Sequence, residues 1–245
     1  MIAIILAAGM GSRLESLTKD IPKCLLKIDN KSLLDIQINS FRKQGINEIF
    51  IVTGHCSDKI KTFPNVTKIV NKEYRNTNMV YSLMKVLPII KQKDIIISYS
   101  DIIFERTVLK KLINDPNKNT IVVDKNWKSY WIERYGTSNY DIESLKLEGN
   151  TITEIGQTCS SDVGIDARYV GLMKFSYSTV KKMIHIWENK NNLASNSYMT
   201  DMIQCLINNS ITIFSHDIQG KWYEIDTQKD YMLAKSKYVI SKEKY

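Results

Sequence analysis

The chain has 245 residues, 43% apolar and 24% charged, with a formal net charge of +8. That length buries a substantial core, and the composition is that of a globular protein, not a disordered or fibrous one. The lysines are spread along the chain and alternate with acids, so the charge points to anionic small substrates and not to nucleic acid. No apolar run reaches the roughly 18 residues of a membrane span. The four cysteines stand singly, without metal-ligand spacing, as expected of reduced thiols in a cytoplasmic protein.

In chain order, "IAIILAA" is a short continuous apolar run ended by glycine, which predicts a buried first strand and not a signal peptide. "SLLDIQINSFRKQGI" predicts a helix stopped at Gly45. The runs "EIFIVTG", "VTKIVN", "DIIISYSD" and "NTIVVDK" predict strands, separated by helices over "NMVYSLMKVLPII" and "RTVLKKLIND". This alternation over roughly the first 125 residues argues for an α/β protein with a doubly wound, mostly parallel, Rossmann-like sheet. The aromatic stretch "NWKSYWIERYGTSNYD" reads as irregular. Two short strands around Gly149-Asn150, a strand over "YVGLMKFS", helices over "YSTVKKMIHIWEN" and "SYMTDMIQCLINN", a strand over "ITIFSHDI" and a closing helix complete the pattern. The expectation is a single domain: a nucleotide-binding core over 1–125, acceptor-binding insertions forming a small lobe over 126–225, and a closing helix over 226–245.

"LAAGMGSRLESLTKDIPKCLL" carries the chemistry. Backbone N–H groups cradle phosphate only where glycine lets the chain approach. Arg13 offers a guanidinium fork, and Lys23 a point charge. A Walker loop is absent, and the dinucleotide fingerprint fails at Leu14. The segment, with Leu6, Ala7, Ala8, Gly9, Gly11, Arg13, Leu14, Thr18, Pro22, Lys23 and Leu25, resembles the signature of sugar nucleotidyltransferase-like enzymes. "NKEYRNTNMVYSL", "SYSDIIF", "YVGLMKFS" and "GKWYEIDTQKDY" resemble that family's later blocks in the same order. Trp222, Glu224, Ile225 and Asp226 resemble its cytidylyltransferase branch, which acts on phosphocholine and related acceptors.

The resemblance implies that Leu6, Ala8, Gly9, Gly11, Ser12, Arg13 and Lys23 hold the nucleoside triphosphate, CTP, and that Asn78 and Ser82 hold the base. Asn78 is equally a helix N-cap by position. Asp101 and Asp226 resemble the family's Mg²⁺ pair. Magnesium takes carboxylate oxygens together with substrate phosphates and water. If Thr227 and Asp230 cap the last helix, Asp226 is left for the metal, and it is expected to be partly exposed. Transfer of CMP to a phosphate monoester needs positioning and charge stabilisation but no strong base. The catalytic set is therefore Arg13, Lys23, Asp101 and Asp226, and His55, His185 and His216 are expected in core or surface roles.

Many sugar-specific relatives carry a lysine where this chain has Gln157, which counts against the alternative of a sugar-1-phosphate nucleotidyltransferase. A non-catalytic nucleotide-binding module is disfavoured by the presence of all four charged residues. Lys125 or Arg168 is left to supply the missing cation. Aromatic faces stabilise ammonium groups. Trp131 resembles the aromatic wall of phosphocholine-activating relatives, and Tyr169 and Tyr198 are further candidates. Glu133 and Arg134 offer partners for an amine and a carboxylate. Phosphocholine, an aminoalkylphosphonate and phosphoglutamine all stay open as acceptors, and the resemblance implies a role in capsule or cell-surface glycan modification. The assembly is expected to be a monomer or homodimer.

Overall fold

The computed structural model describes residues 1–189 and 193–241. In chain order it contains β1 (Ile2–Ala7), the ribbon β2 (Lys27–Ile28) and β3 (Lys31–Ser32), α1 (Leu33–Lys43), β4 (Ile49–Thr53), β5 (Val66–Val70) and α2 (Met79–Met84). There follow β6 (Ile95–Tyr99), β7 (Ile102–Phe104), α3 (Arg106–Asn114), β8 (Thr120–Asp124), α4 (Trp127–Tyr135), β9 (Glu143–Glu148) and β10 (Thr151–Thr158). The chain closes with β11 (Arg168–Phe175), α5 (Tyr177–Glu188), α6 (Met199–Asn208), β12 (Phe214–Ile218), β13 (Trp222–Glu224) and α7 (Gln228–Ser241). Positions 242–245 of the expected closing helix lie outside the described residues.

Nine strands form one sheet in the order β5-β4-β1-β6-β11-β8-β12-β10-β9. β5, β4, β1 and β6 run parallel. β11 enters antiparallel between β6 and β8, and the β9–β10 hairpin extends the far edge. The expected small lobe thus takes the form of an extension of the main sheet.

β1 explains why its sequence is apolar at every position. Ile2, Ile4 and Leu6 pack on the face covered by α2, α5 and α6, while Ala3, Ile5 and Ala7 pack on the face covered by α1, α3 and α4. A central parallel strand has no solvent face, so its residues do not alternate with polar ones. Ser32 starts α1 with a reciprocal capping box to Asp35. Among the described residues, no helix is long and apolar enough to cross a membrane.

The aromatic stretch corrects one expectation. Trp127–Tyr135 is a regular helix, not an irregular segment. Its buried residues are Trp127, Tyr130, Trp131 and Arg134, spaced as one helix face. Gly136, at φ 77°, stops it.

Candidate active site

The carboxyl ends of β1 and β6 lie side by side, because the two strands are parallel and in register from Ile2–Ile95 to Leu6–Tyr99. Beyond β1 comes the glycine loop, and beyond β6 come Ser100 and Asp101. The β7–β13 ribbon, with Glu224 opposite Ile102, brings the distant Glu224–Asp226 segment to the same place. Ile225 N–H donates to Asp101 O at 2.9 Å.

The glycine loop is braced. Gly11 has φ +64°, and a Cβ there would come within 3.3 Å of Lys23 Cβ and 3.4 Å of the Thr18 side chain. Buried Thr18 donates from Oγ1 to Gly11 O at 2.8 Å. His55 Nε2 lies 3.0 Å from Thr18 O, and its backbone N–H reaches Ala8 O. His55 therefore stands behind the loop, a contact no local sequence signal announces. A neutral hydrogen bond contributes about 1 kcal/mol, so Thr18→Val, which keeps the shape and loses the donor, is expected to raise the Kd for CTP about fivefold. Calorimetric titration checks this; an unchanged Kd would contradict the bracing role.

Lys23 sits at the centre of the charges. Its Nζ donates to Asp101 Oδ2 at 2.8 Å and to Asp226 Oδ1 at 2.7 Å. Burial works against the ammonium, but the two carboxylates outweigh it and hold its pKa above the ordinary lysine value. Burial alone would raise the Asp226 pKa, yet Lys23, Arg13 and Arg134 bring it below the usual carboxylate range. Arg13 Nη2 is 3.1 Å from Asp226 Oδ1. Asp226 is 5% exposed, which corrects the expectation of partial exposure. Its burial follows from being the shared partner of three cations.

Behind Asp226 lies a buried network. Arg134 donates from Nε to Asp230 Oδ1 at 2.9 Å and from Nη2 to Asp230 Oδ2 at 3.0 Å, and from Nη1 to Glu224. Asp230 in turn accepts the Asp226 and Thr227 backbone N–H groups, and Thr227 Oγ1 accepts Asp230 N–H. Thr227 and Asp230 thus close the expected capping box, leaving the Asp226 side chain to the cleft. Burial and the neighbouring Asp226 push Glu224 up to about 7 against the pull of Arg134.

Two cavities, of about 240 and 340 Å³, meet at Arg13, Met79, Tyr99 and Asp226. The first gathers every residue expected to hold the nucleotide: Leu6, Ala8, Gly9, Gly11, Ser12, Arg13, Lys23, Asn78, Ser82 and Asp101. Asn78 is the cap of α2, its side chain accepting Met79 N–H, and it also lines this cavity. Ser82 Oγ accepts a hydrogen bond from Asn71, which is fully buried. Tyr74 and Thr77 also line this cavity, and the sequence reading missed them.

The second cavity is lined by the acceptor candidates Arg168, Tyr169 and Tyr198, by Glu224 of the "WYEID" block, and by Asp141 and Glu143, for which no role was foreseen. Gly171 in its wall has φ +88°, and a Cβ there would fall 2.6 Å from Tyr99 Cδ2; only glycine lets that ring lie against β11.

Three acceptor expectations are corrected. Trp131 is fully buried, donates from Nε1 to Tyr140 O at 2.8 Å, and lines neither cavity. The phase of α4 turns it inward, where it packs edge-on against Trp127 and Tyr130. Lys125 points elsewhere, into an ion pair with Asp217 at 2.6 Å, because β8 and β12 are neighbours in register. Arg134 is fully committed to Glu224 and Asp230, and Glu133 pairs with Lys237 on the surface at 3.1 Å. Gln157 is exposed and lines neither cavity. His216 pairs with Asp115 at 2.9 Å, away from the cleft.

Asp101 and Asp226 fit a magnesium ion. Asp101 Oδ1 is buried without a hydrogen-bond partner among the described residues, an acceptor in want of a cation. No group of three or more His, Cys, Asp or Glu forms a cage among the described residues. Two carboxylates beside a phosphate cavity suit an ion that takes its remaining ligands from substrate and water.

The model of the MobA-like NTP transferase domain matches residues 3–145, more than half of the chain. The chain belongs to that family. A CTP:phosphoglutamine cytidylyltransferase of Campylobacter jejuni is 39% identical to this NTP transferase over 94% of the chain and 97% of its own length. A choline-phosphate cytidylyltransferase of Streptococcus pneumoniae is 26% identical over 94% and 95%. The solved CTP:phosphocholine cytidylyltransferase of Streptococcus pneumoniae superposes with a TM-score of 0.74, covering 96% of this chain and 98% of that one at 22% identity. The chain is a nucleotidyltransferase of the cytidylyltransferase branch.

Proposed function

We propose that the protein transfers CMP from CTP to a small phosphorylated or phosphonylated nitrogen-containing acceptor and releases pyrophosphate, with Mg²⁺ held by Asp101 and Asp226. The observation that carries this is the meeting of two cavities at Arg13 and Asp226, next to Lys23. One cavity has the glycine loop and the other has acids, an arginine and tyrosines.

In this reading the loop over Gly9–Arg13 wraps the triphosphate, and Asn78 and Ser82 meet the base. Met79 and Tyr99 separate the base end from the acceptor. An oxygen of the acceptor phosphoryl group, ionised at neutral pH, attacks the α-phosphorus of CTP. A new P–O bond forms, the bond from the α-phosphorus to the bridging oxygen breaks, and pyrophosphate carries the electron pair away. Arg13 and Lys23 face the charge that develops, in a site where such interactions are stronger than in water. Magnesium, when bound, neutralises phosphate charge and orients the triphosphate. Lys23, whose ammonium lies between the two aspartates, is placed to donate to a phosphate oxygen of the bound triphosphate, and Asp101 and Asp226 would hold the ion.

The product is a pyrophosphate-linked or phosphonate-phosphate-linked CMP conjugate. ³¹P NMR of a reaction with CTP, Mg²⁺ and phosphoglutamine, phosphocholine or 2-aminoethylphosphonate is expected to show its paired doublets, and EDTA to abolish them. Cleavage of CTP to CMP alone, with no conjugate from any acceptor, would contradict the transfer. Decoration of capsule or other cell-surface glycans is the use proposed for such a product.

A further inference from the structure

We infer that the acceptor is an α-amino acid carrying its phosphoryl group at the far end of the side chain, with Arg168 receiving its carboxylate and Glu143 its ammonium. This rests on the reading of the second cavity as the acceptor site.

Arg168 opens β11 and Glu143 opens β9, and both line the cavity wall. The Arg168 guanidinium lies 4.6 Å from the centroid of the Trp131 ring. Among the described residues it makes no side-chain hydrogen bond and has no carboxylate within ion-pair distance. A guanidinium held over a buried tryptophan ring is anchored there, and N–H donors without a hydrogen-bonded partner among the described residues suit a carboxylate. Trp131 is thus a positioning residue acting through Arg168.

Glu143 also has no hydrogen-bonded or ion-paired partner among the described residues. Burial raises its pKa, Arg168 opposes that, and Asp141 and Asp201 add to it. A half-buried carboxylate with two acids in range is a place for a cation. A cation and an anion left open in one cavity suit a zwitterion. Choline or a simple aminoalkyl group would satisfy Glu143 and leave the Arg168 N–H donors without a hydrogen-bonded partner, with only the longer-range field of Glu143 and Glu224. Arg13 lines this cavity and the nucleotide cavity alike, so the acceptor's phosphoryl group belongs at that junction. The sequence reading assigned this amine and carboxylate recognition to Glu133 and Arg134; the fold gives the same chemistry to Glu143 and Arg168.

Pyrophosphate release with CTP tests this on three matched acceptors: phosphoglutamine, its decarboxylated analogue N-phospho-4-aminobutanamide, and its deaminated analogue N-phosphoglutaramate. In the native protein, loss of either group is expected to raise the acceptor KM about tenfold to a hundredfold, the range for a charged hydrogen bond. Arg168→Gln should raise the KM for phosphoglutamine by a similar factor, leave that for the decarboxylated analogue within about twofold, and leave the CTP KM alone. Glu143→Gln should do the same for the deaminated analogue. Arg168→Gln raising the KM of both acceptors equally would overturn the assignment. Equal or better turnover of native protein with phosphocholine or 2-aminoethylphosphonate would retain the transfer reaction and overturn the amino-acid class. No pyrophosphate from any acceptor would overturn the transfer reading and this assignment with it.

Discussion

Asp226→Asn is expected to lower kcat at least about a hundredfold, the scale of removing one preorganised charge from a reacting phosphate. The side chain is buried and touches Lys23 and Arg13 directly. Asparagine keeps the size but removes the charge that Lys23 and Arg13 share, and with it one of the two carboxylates proposed to hold Mg²⁺. Folding should survive, because the loop is held from its backbone: Asp230 Oδ2 accepts the Asp226 N–H at 3.1 Å, and Ile225 pairs with Asp101. The acceptor KM should change less than kcat, since the loss falls on the transition state. Circular dichroism and a steady-state pyrophosphate assay check both halves. A kcat within about fivefold of the native value would remove Asp226 from the reacting centre.

Arg134→Met is expected to destabilise the fold by about 3–5 kcal/mol, the range for removing one partner of a buried ion pair. Arg134 is 1% exposed and Asp230 is 1% exposed, so water cannot take the place of the guanidinium. The substitution leaves Asp230 a buried, unpaired acid and Glu224 a half-buried one next to Asp226. Tyr130, Trp131 and Tyr135 would also lose the cation that lies within 5.3 Å of each ring centre. In a chain of this size, each kcal/mol shifts Tm by about 2–4 °C, so a fall of about 10 °C is expected. The acids are the source of the loss. Adding Asp230→Asn to Arg134→Met should therefore destabilise by clearly less than the sum of the single changes. Thermal melts of the three variants measure this; strict additivity would contradict the network.

The difference between these two residues shows how far the sequence could be read. Arg13, Lys23 and the glycines lie within one short segment, whose resemblance to the nucleotidyltransferase signature implies a phosphate cradle, and the fold gathers them with Asp101 in one cavity. The cap of α7 was readable because Thr227 and Asp230 are local, whereas the burial of Asp226 was not, because Lys23, Arg13 and Arg134 come from distant segments. The aromatic segment was partly readable. Trp127, Tyr130, Trp131 and Arg134 have the spacing of one helix face, but the face includes an arginine, so it does not read as apolar. What makes Arg134 an inward residue is Glu224 and Asp230, some ninety residues further along the chain. Once α4 is a helix, Trp131 must face the core and cannot wall the acceptor. That Glu143 lines the same cavity as Arg168 was hidden for the same reason: it depends on β9 and β11 converging there, which no local pattern encodes. Lys125 was misplaced because its partner Asp217 comes from the neighbouring strand β12.

The most direct test of the central claim crosses the four ribonucleoside triphosphates with phosphoglutamine, phosphocholine, 2-aminoethylphosphonate and glucose-1-phosphate, in Mg²⁺, reading pyrophosphate. The site described here predicts signal with CTP and a nitrogen-containing acceptor, greatest with phosphoglutamine. Signal confined to glucose-1-phosphate, with any of the four nucleotides, would contradict it and make the protein a sugar-1-phosphate nucleotidyltransferase.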